Sequence, residues 1–253
     1  MSNRHHHTAT PEPLLSPGPR LRPPSARVGR HRNRRAVLER VRAEASVPVV
    51  EVRPLRSPYV RFIKPVVDRV LAGVLLVLLS PVLAVVAASV RIALGAPILY
   101  RQARVGLGGR HFEVVKFRTM ETDRRVADVP VAIDRRLEHK AGHDPRHTTL
   151  GRVLRRASLD ELPQLWNVVR GDMSLVGPRP ELTTVVARYD DWQHARHAVR
   201  PGLTGLWQIR SRGDVPMHLC VHDDLDYIDR VGPIADLLLL VATPFALLTH
   251  RGT

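Results

Sequence analysis

The 253-residue chain is long enough for one domain of ordinary size with additional segments, and its formal net charge is +15. This charge indicates an anionic partner, although it does not distinguish nucleic acid from anionic lipid or phosphorylated substrates. An aromatic content of 4% argues against binding of single-stranded nucleic acid by base stacking, and a single cysteine excludes an intrachain disulfide.

The first segment is basic and rich in proline. Residues 1–60 carry 12 Arg against 4 Glu. A segment of this composition cannot bury enough apolar surface to offset the entropy lost on ordering, and it lacks the apolar core of a secretory signal. We therefore predict a disordered basic tail at 1–56, followed by a folded domain at 57–253.

An uncharged apolar run follows, from Val70 to Val90. As a single helix this run would be about 31 Å long, which is enough to cross a bilayer. Ser80-Pro81 interrupts it at its midpoint, where proline kinks or breaks a helix and a serine hydroxyl can satisfy a freed carbonyl. Basic residues flank both ends, so charge gives no direction of insertion. Both a kinked spanning helix and a re-entrant segment at about 66–92 fit this pattern.

The part beyond the apolar run, about 97–253, is predicted to consist of short strands and helices joined by loops. Two strands, Pro97–Tyr100 and His111–Phe117, are predicted around Gly106–Gly109. These glycines fit a hairpin turn better than a nucleotide-binding loop, because no helix follows them. Residues 121–147 have little periodicity and are predicted to form a mobile loop.

Three helices are predicted in the remainder. One covers Leu150–Arg156, and the next runs from Glu161 to Arg170 and ends at Gly171. The last covers the apolar run Leu237–Leu248, which is too short to cross a bilayer and contains Pro244. It is therefore interpreted as an interfacial or core helix.

Two adjacent carboxylates, Asp160 and Glu161, allow two interpretations. Ser158 and Glu161 fit a helix capping box, and Asp160 alone fits a helix N-cap. The local sequence alone favours capping. A functional role is the alternative, because arginines surround the pair. Carboxylates among arginines can hold Mg²⁺ beside a phosphate, and an aspartate can attack phosphorus to form an acyl phosphate. These arginines are Arg152, Arg155, Arg156 and Arg179.

A set of motifs in fixed order carries a family resemblance. They are Lys64–Asp68, the Ser80-Pro81 break, Gln102–Gly106, Lys116–Met120, Ser158–Gln164, Gly171–Glu181 and Pro201–Gln208. On these motifs residues 61–253 resemble the bacterial sugar transferase family, the monotopic polyprenyl-phosphate phosphoglycosyl transferases.

The resemblance implies a fold and a set of site residues. The fold is α+β and mostly helical, with a re-entrant helix-break-helix, a compact cytoplasmic catalytic domain containing a small β-hairpin, and interfacial helices. Asp160 and Glu161 are the implied catalytic pair, with Asp160 as nucleophile and both as candidate ligands of Mg²⁺. The positions implied to bind phosphate and nucleotide are Lys116, Arg155, Arg179 and Pro180. Lys64 and Asp68 fit structural anchoring at least as well as catalysis.

The resemblance also implies partners and a location. The substrates are a UDP-sugar and polyprenyl phosphate, the surroundings are membrane lipid at the cytoplasmic face of the inner (plasma) membrane, nucleic acid is not a partner, and a homo-oligomer is allowed. The motifs do not specify the sugar. Arg230–Pro233 departs from the family pattern, which leaves the start of the last helix undefined.

Two other functions are weighed against this one. A membrane-anchored protein that recruits nucleic acid or anionic lipid would explain the tail. It leaves the ordered motifs beyond residue 100 unexplained. A carboxylate-based phosphatase would form the same phosphoenzyme and pass it to water.

Overall fold

The structure, a computed structural model, describes residues 51–120, 148–210 and 220–249. The predicted loop at 121–147 and most of the predicted tail lie outside these ranges. The described part is mostly helical and contains two small two-stranded sheets, so the predicted α+β class is confirmed.

The elements are numbered in chain order. A π-helical turn at Tyr59–Ile63 leads into α1, and further 3₁₀ segments cover Leu107–Gly109, Leu159–Gln164 and Asp191–Ala198. The strands are β1 Leu99–Val105, β2 His111–Phe117, β3 Ser174–Val176 and β4 Gly202–Thr204. The α-helices are α1 Lys64–Leu78, α2 Ser80–Leu94, α3 Thr149–Arg156, α4 Leu165–Arg170, α5 Thr183–Val186, α6 Leu206–Arg210, α7 Val221–Asp229 and α8 Pro233–Thr249.

Helices α1 and α2 occupy the predicted apolar segment and are separated at Leu79. They bend by 64° at this residue, and the Ser80 hydroxyl donates a hydrogen bond of 2.8 Å to the Val77 carbonyl. The predicted break is therefore confirmed, and its cause is the proline that follows. Within the described residues no single helix is long and apolar enough to cross a membrane. The bent pair taken together has sufficient length and apolar composition.

Large apolar side chains remain exposed on α1, α2 and α8. Val77 is 73% exposed, Ile92 is 86% exposed and Ile234 is 74% exposed. Contiguous apolar surface of this kind marks a binding or membrane-contacting face.

The predicted β-hairpin is confirmed, with β1 antiparallel to β2 from Leu99 opposite Phe117 to Val105 opposite His111. Its turn places Gly108 and Gly109 at positive φ, which explains the glycines. The prediction ended the first strand too early, at Tyr100. The second half of β1 is polar, and its sequence therefore did not indicate a strand. In the structure two of these polar residues lie on one strand face, where Arg104 donates a 2.8 Å hydrogen bond to Gln102.

The side chain of Asn167, on α4, closes the outer edge of the hairpin. Its amide oxygen accepts a 3.1 Å hydrogen bond from the Val115 N–H, and its amide nitrogen donates one of 2.7 Å to the Glu113 carbonyl. Asn167 is fully buried, and α4 also packs against α1. The hairpin and the first helix are thereby joined through one short helix.

The helix predicted from Glu161 to Arg170 is wrong in its first half. Leu159–Gln164 forms a 3₁₀ segment, and α-helix begins only at Leu165. Pro163 lies within the 3₁₀ segment, where its missing N–H withholds one helical hydrogen bond. The predicted end at Gly171 is confirmed, with Gly171 at φ 89°.

Helix α8 starts at Pro233, four residues before the predicted run, and is anchored to α1 by the buried Asp236. The Asp236 carboxylate lies 2.5 Å from Lys64 Nζ and accepts hydrogen bonds of 2.7 Å from the Tyr59 and Tyr227 hydroxyls. Lys64 also lies 3.4 Å from Asp68. These contacts assign Lys64 and Asp68 to a buried polar network between helices, consistent with anchoring.

Strands β3 and β4 form a short parallel pair that carries the following turn toward the hairpin. Gly177 and Gly202 allow this close approach, because a Cβ on Gly202 would lie 2.1 Å from the Gly177 nitrogen. Residues 178–182 then cross to β1, where the Val105 N–H donates a 3.1 Å hydrogen bond to the Glu181 carbonyl.

Candidate active site

Three elements converge on the predicted carboxylate pair. Asp160 and Glu161 lie in the 3₁₀ segment, which packs against β2. Lys116 lies near the end of β2, and Arg179 lies in the turn after β3. Residues far apart in sequence are thus brought together beside the hairpin.

Glu161 is held by two cations. Lys116 Nζ donates a 2.9 Å hydrogen bond to Glu161 Oε1, and Arg179 binds both carboxylate oxygens. The Arg179 Nη1 to Oε2 distance is 3.0 Å. A bidentate arginine fixes both the position and the orientation of a carboxylate.

The charges of these neighbours set the ionisation of Glu161 and Lys116. Burial acts to raise the pKa of Glu161, but Arg179 and Lys116 outweigh it and hold that pKa well below its ordinary value. Burial lowers the pKa of Lys116, with Arg179 and Arg104 acting in the same direction and Glu161 opposing them. Glu161 is therefore ionised throughout the neutral range.

Asp160 has a different environment. Its side chain is buried, and burial together with the adjacent Glu161 raises its pKa, while Lys116 and Arg179 partly oppose this. Neither capping interpretation is realised: the Ser158 side chain makes no cap hydrogen bond, and Asp160 lies inside the 3₁₀ segment instead of at its start. A buried carboxylate among cations, with no capping role, is chemically suited to attack or to bind a cation.

The other predicted binding residues lie close by in the fold. Pro180 is buried directly after Arg179, and its carbonyl accepts a 3.2 Å hydrogen bond from Arg104. Arg155 is half-buried in the last turn of α3, a helix that packs against the 3₁₀ segment. Arg152 and Arg156, also on α3, are exposed.

The sequence prediction missed Arg104 and Glu181, which form an ion pair of 3.5 Å. Both lie inside recognised motifs, but only the fold brings β1 against the turn after β3. The site then holds three acidic groups, Asp160, Glu161 and Glu181, and four basic ones if Arg155 is included with Lys116, Arg179 and Arg104. The single excess positive charge does not offset the two negative charges of a bound diphosphate, which would leave the site with excess negative charge.

The residues present fit the predicted Mg²⁺. Of roughly four acceptor positions on a carboxylate, Lys116 and Arg179 occupy three on Glu161, which leaves one on Oε2. Asp160 supplies a second carboxylate beside it. Mg²⁺ commonly uses one or two protein carboxylates and takes its remaining ligands from phosphate and water. The described residues contain no group of three or more His, Cys, Asp or Glu that could hold a metal ion by themselves.

The sequence description of the bacterial sugar transferase family matches residues 59–250. The chain belongs to this family, as its motifs predict, and it is a sugar-phosphate transferase.

Individual relatives agree with this assignment. The chain is 40% identical over 193 residues to the exopolysaccharide production protein ExoY of Sinorhizobium fredii, covering 74% of this chain and 85% of that protein. It is 41% identical over 208 residues to a UDP-glucose:undecaprenyl-phosphate glucose-1-phosphate transferase of Caulobacter vibrioides, covering 78% and 73%. It is 37% identical to an undecaprenyl-phosphate galactose phosphotransferase of Salmonella typhimurium, covering 76% of this chain and 42% of that longer protein.

Proposed function

We propose that this protein transfers a sugar 1-phosphate from a UDP-sugar to undecaprenyl phosphate, or a similar polyprenyl phosphate, through a phosphosugar bound covalently to Asp160. The observation that carries the proposal is the buried Asp160 carboxylate beside Glu161, itself fixed by Lys116 and Arg179. The names of the relatives support both substrate classes and a role in exopolysaccharide production, in which we place this reaction at the first membrane step. Because those names include both glucose and galactose, they leave the sugar open.

In the first step the ionised Asp160 carboxylate attacks the β-phosphorus of the UDP-sugar. The new bond joins an Asp160 oxygen to the β-phosphorus. The bond from that phosphorus to the oxygen it shares with the α-phosphorus breaks, and UMP leaves with the electron pair. No general base is needed, because a carboxylate is already ionised above its pKa.

In the second step a phosphate oxygen of polyprenyl phosphate attacks the phosphorus of the acyl phosphate. The bond to Asp160 breaks, the carboxylate is regenerated, and the product is a polyprenyl diphosphosugar. One phosphoanhydride of the donor is replaced by one phosphoanhydride of the product, so the overall free-energy change is small. The reaction is therefore expected to be reversible.

The remaining site residues hold and neutralise the diphosphate. Arg179 and Lys116 orient Glu161 and present positive charge to the transferring phosphoryl group. Arg155 and the Arg179-Pro180 turn complete the predicted binding surface for phosphate and nucleotide. Mg²⁺, held by Asp160 and Glu161, would neutralise the excess negative charge of the bound diphosphate.

The exposed apolar faces support attachment to a membrane, which we propose to be the cytoplasmic face of the inner membrane. In this proposal α1 and α2 enter the bilayer and return, with the bend at Leu79 inside it. The exposed apolar side chains of α8 then rest in the same membrane surface. This arrangement brings a water-soluble nucleotide sugar and the phosphate of a lipid acceptor to one site.

The test incubates membranes containing the protein with a UDP-sugar labelled at the β-phosphorus, with and without polyprenyl phosphate. We expect labelled protein and UMP without the acceptor, and labelled lipid when the acceptor is added. Release of free sugar phosphate in place of labelled lipid would identify a phosphatase. Absence of UMP release with glucose, galactose and N-acetylated amino-sugar donors would contradict the proposal.

A further inference from the structure

The position of the Arg179 guanidinium depends on the main chain that carries it. Arg179 lies in a turn outside regular secondary structure, between β3 and α5. A long side chain on such a turn can hold Glu161 in one place only if the backbone beneath it is itself fixed. Two arginines bind that backbone from different elements.

Arg104 binds one side of the turn. From β1 it donates a 3.2 Å hydrogen bond to the Pro180 carbonyl. The neighbouring Val105 N–H binds the Glu181 carbonyl, as described above. The hairpin thereby fixes the part of the turn that follows Arg179.

Arg196 binds the main chain on the other side of the turn, at Arg179 itself. Its Nη2 donates a 2.7 Å hydrogen bond to the carbonyl of Arg179 itself. Arg196 lies in the 3₁₀ segment Asp191–Ala198 and is only 2% exposed. Arg196 is thus a buried cation whose guanidinium binds the turn that carries Arg179.

Other contacts hold Arg196 in this orientation. The Asp224 carboxylate on α7 lies 2.6 Å from Arg196 Nη2, and the Tyr189 hydroxyl accepts a 2.5 Å hydrogen bond from Nη1. The Arg196 guanidinium also lies 5.9 Å from the centre of the Tyr189 ring. A planar guanidinium can serve these partners at once, whereas a lysine ammonium is a single point charge.

We propose that Arg196 is a positioning residue of the transferase: by holding the Arg179 carbonyl it places the Arg179 guanidinium on Glu161. This inference rests on the proposed function, because it takes Arg179 and Glu161 as parts of the reacting site. Arg196 does not contact substrate in this scheme. Asp224 orients Arg196 and is one step further from the chemistry.

The first test compares Arg196→Lys with Asp224→Asn. The lysine variant keeps the charge but loses the guanidinium that reaches the Arg179 carbonyl, so we expect kcat for transfer to fall by at least about tenfold. The asparagine variant leaves Arg196 in place and still offers it an oxygen, so we expect kcat within about threefold of wild type. The matched control is Asp223→Asn, on the same helix, which alters an ion pair with Arg210 at the surface and should leave kcat unchanged.

A purely structural role predicts a different pattern. An ion pair that only stabilises the fold would give Arg196→Lys and Asp224→Asn equal losses of melting temperature, with kcat per folded molecule unchanged in both. That result would overturn the inference. Equal losses of kcat in both variants would overturn it as well, because they would assign the effect to the pair and not to the bond with Arg179.

A double substitution guards against a variant that fails to fold. Arg196→Met with Asp224→Leu replaces the buried pair by apolar side chains of similar size, a change that buried ion pairs often tolerate. We expect this protein to fold and to show the same loss of kcat as Arg196→Lys. Wild-type kcat in it, or failure of both this protein and Arg196→Lys to fold, would overturn the positioning role.

A further comparison links Arg196 to Arg179. If Arg196 acts through Arg179, the Arg196→Lys change should cost little more in an Arg179→Lys background, whereas independent effects would multiply. The proposed function is tested separately in the same assay by wild type and Asp160→Asn. If wild type transfers and Asp160→Asn does not, while Arg196→Lys keeps full kcat, only the positioning inference fails.

Discussion

At the scale of single residues, two adjacent carboxylates are placed in opposite electrostatic environments. The cations around Glu161 lower its pKa, whereas burial and the charge of Glu161 raise the pKa of Asp160. The two carboxylates therefore have different roles. Glu161 is a fixed anion that orders the cations of the site. Asp160 is the carboxylate whose charge is less completely compensated, which suits a nucleophile.

The first prediction concerns this division of roles. Asp160→Asn should abolish transfer and also the labelled protein adduct formed with a UDP-sugar labelled at the β-phosphorus. Glu161→Gln should lower kcat by about 10²-fold, because preorganised charges are disturbed, yet still form adduct slowly. Both are measured by UMP release and by labelled protein after denaturation.

The exposed Asp191→Asn serves as a control and should behave as wild type. If Asp160→Asn keeps more than about a tenth of wild-type turnover, Asp160 is not the nucleophile. A complete loss of adduct in Glu161→Gln with normal adduct in Asp160→Asn would reverse the two assignments.

The second prediction concerns His197, which is buried beside Arg196. Burial, together with the charges of Arg196 and His194, lowers the pKa of His197 to about 3. In the unfolded chain the pKa of His197 has its ordinary value of about 6.5. Between pH 6.5 and 3 the unfolded chain therefore binds a proton at His197, whereas the folded protein does not. His197 should thus destabilise the fold as the pH falls through this window, by about 2 kcal/mol at pH 5.

The measurement is thermal unfolding of wild type and His197→Gln between pH 7.5 and 5. The glutamine variant should lose less melting temperature over this interval, since it has no proton to bind. Parallel pH dependence in the two proteins would contradict the prediction.

At the scale of elements, the sequence predicts best where one local signal decides the outcome. Ser80-Pro81 predicts the break between α1 and α2, and Gly171 predicts the end of α4. β2 has the bounds predicted for it beside the glycine turn. In each case a backbone constraint or a period within a few residues determines the structure.

The elements that were missed depend on partners distant in sequence. β3 and β4 are three residues each and exist only as a parallel pair, so no local period marks them. Arg104 lies inside a recognised motif and Arg196 lies outside all of them. In neither case does the local sequence indicate the role, because the carbonyls that they bind are 76 and 17 positions away in sequence. Asp160, Glu161 and Arg179 were grouped from the residues themselves, whereas Lys116 was added only by the family resemblance.

The third prediction concerns the direction of α1 and α2. If the bent pair enters the membrane and returns, both of its flanks lie in the cytoplasm. Single cysteines at the exposed positions Arg56 and Arg110, in a Cys220→Ser background, should be protected from a membrane-impermeant thiol reagent in intact cells. Both should react once the cells are permeabilised. Labelling of just one position in intact cells would indicate a spanning segment.

At the scale of the whole molecule, the proposed membrane location involves two different forces, the charge of the basic tail and the exposed apolar surface of the helices. Residues 1–50 carry ten arginines, each worth on the order of 1 kcal/mol near anionic headgroups and screened by salt. The exposed apolar side chains of α1, α2 and α8 depend little on salt and involve far more apolar surface. Membrane attachment should therefore depend mainly on the helices.

The fourth prediction follows from this comparison. A chain beginning at Glu51 should remain in the membrane fraction at high salt and retain turnover within a few-fold. The cut is placed before Glu51 because Leu55 packs against the core and its N–H donates a 2.8 Å hydrogen bond to the Ala198 carbonyl. If this shortened protein folds and embeds but is inactive, the tail contributes to the site or to assembly.

The contact made by Asn167 has a consequence for how copies of this chain coexist at high local density. A two-stranded hairpin has two open edges, and an open edge can pair with a strand of another molecule and begin aggregation. Asn167 occupies the N–H of Val115 and the carbonyl of Glu113, two groups at the middle of this edge with which an incoming strand would pair. One buried amide thus imitates a neighbouring strand and blocks pairing of other copies of the chain at the middle of this edge.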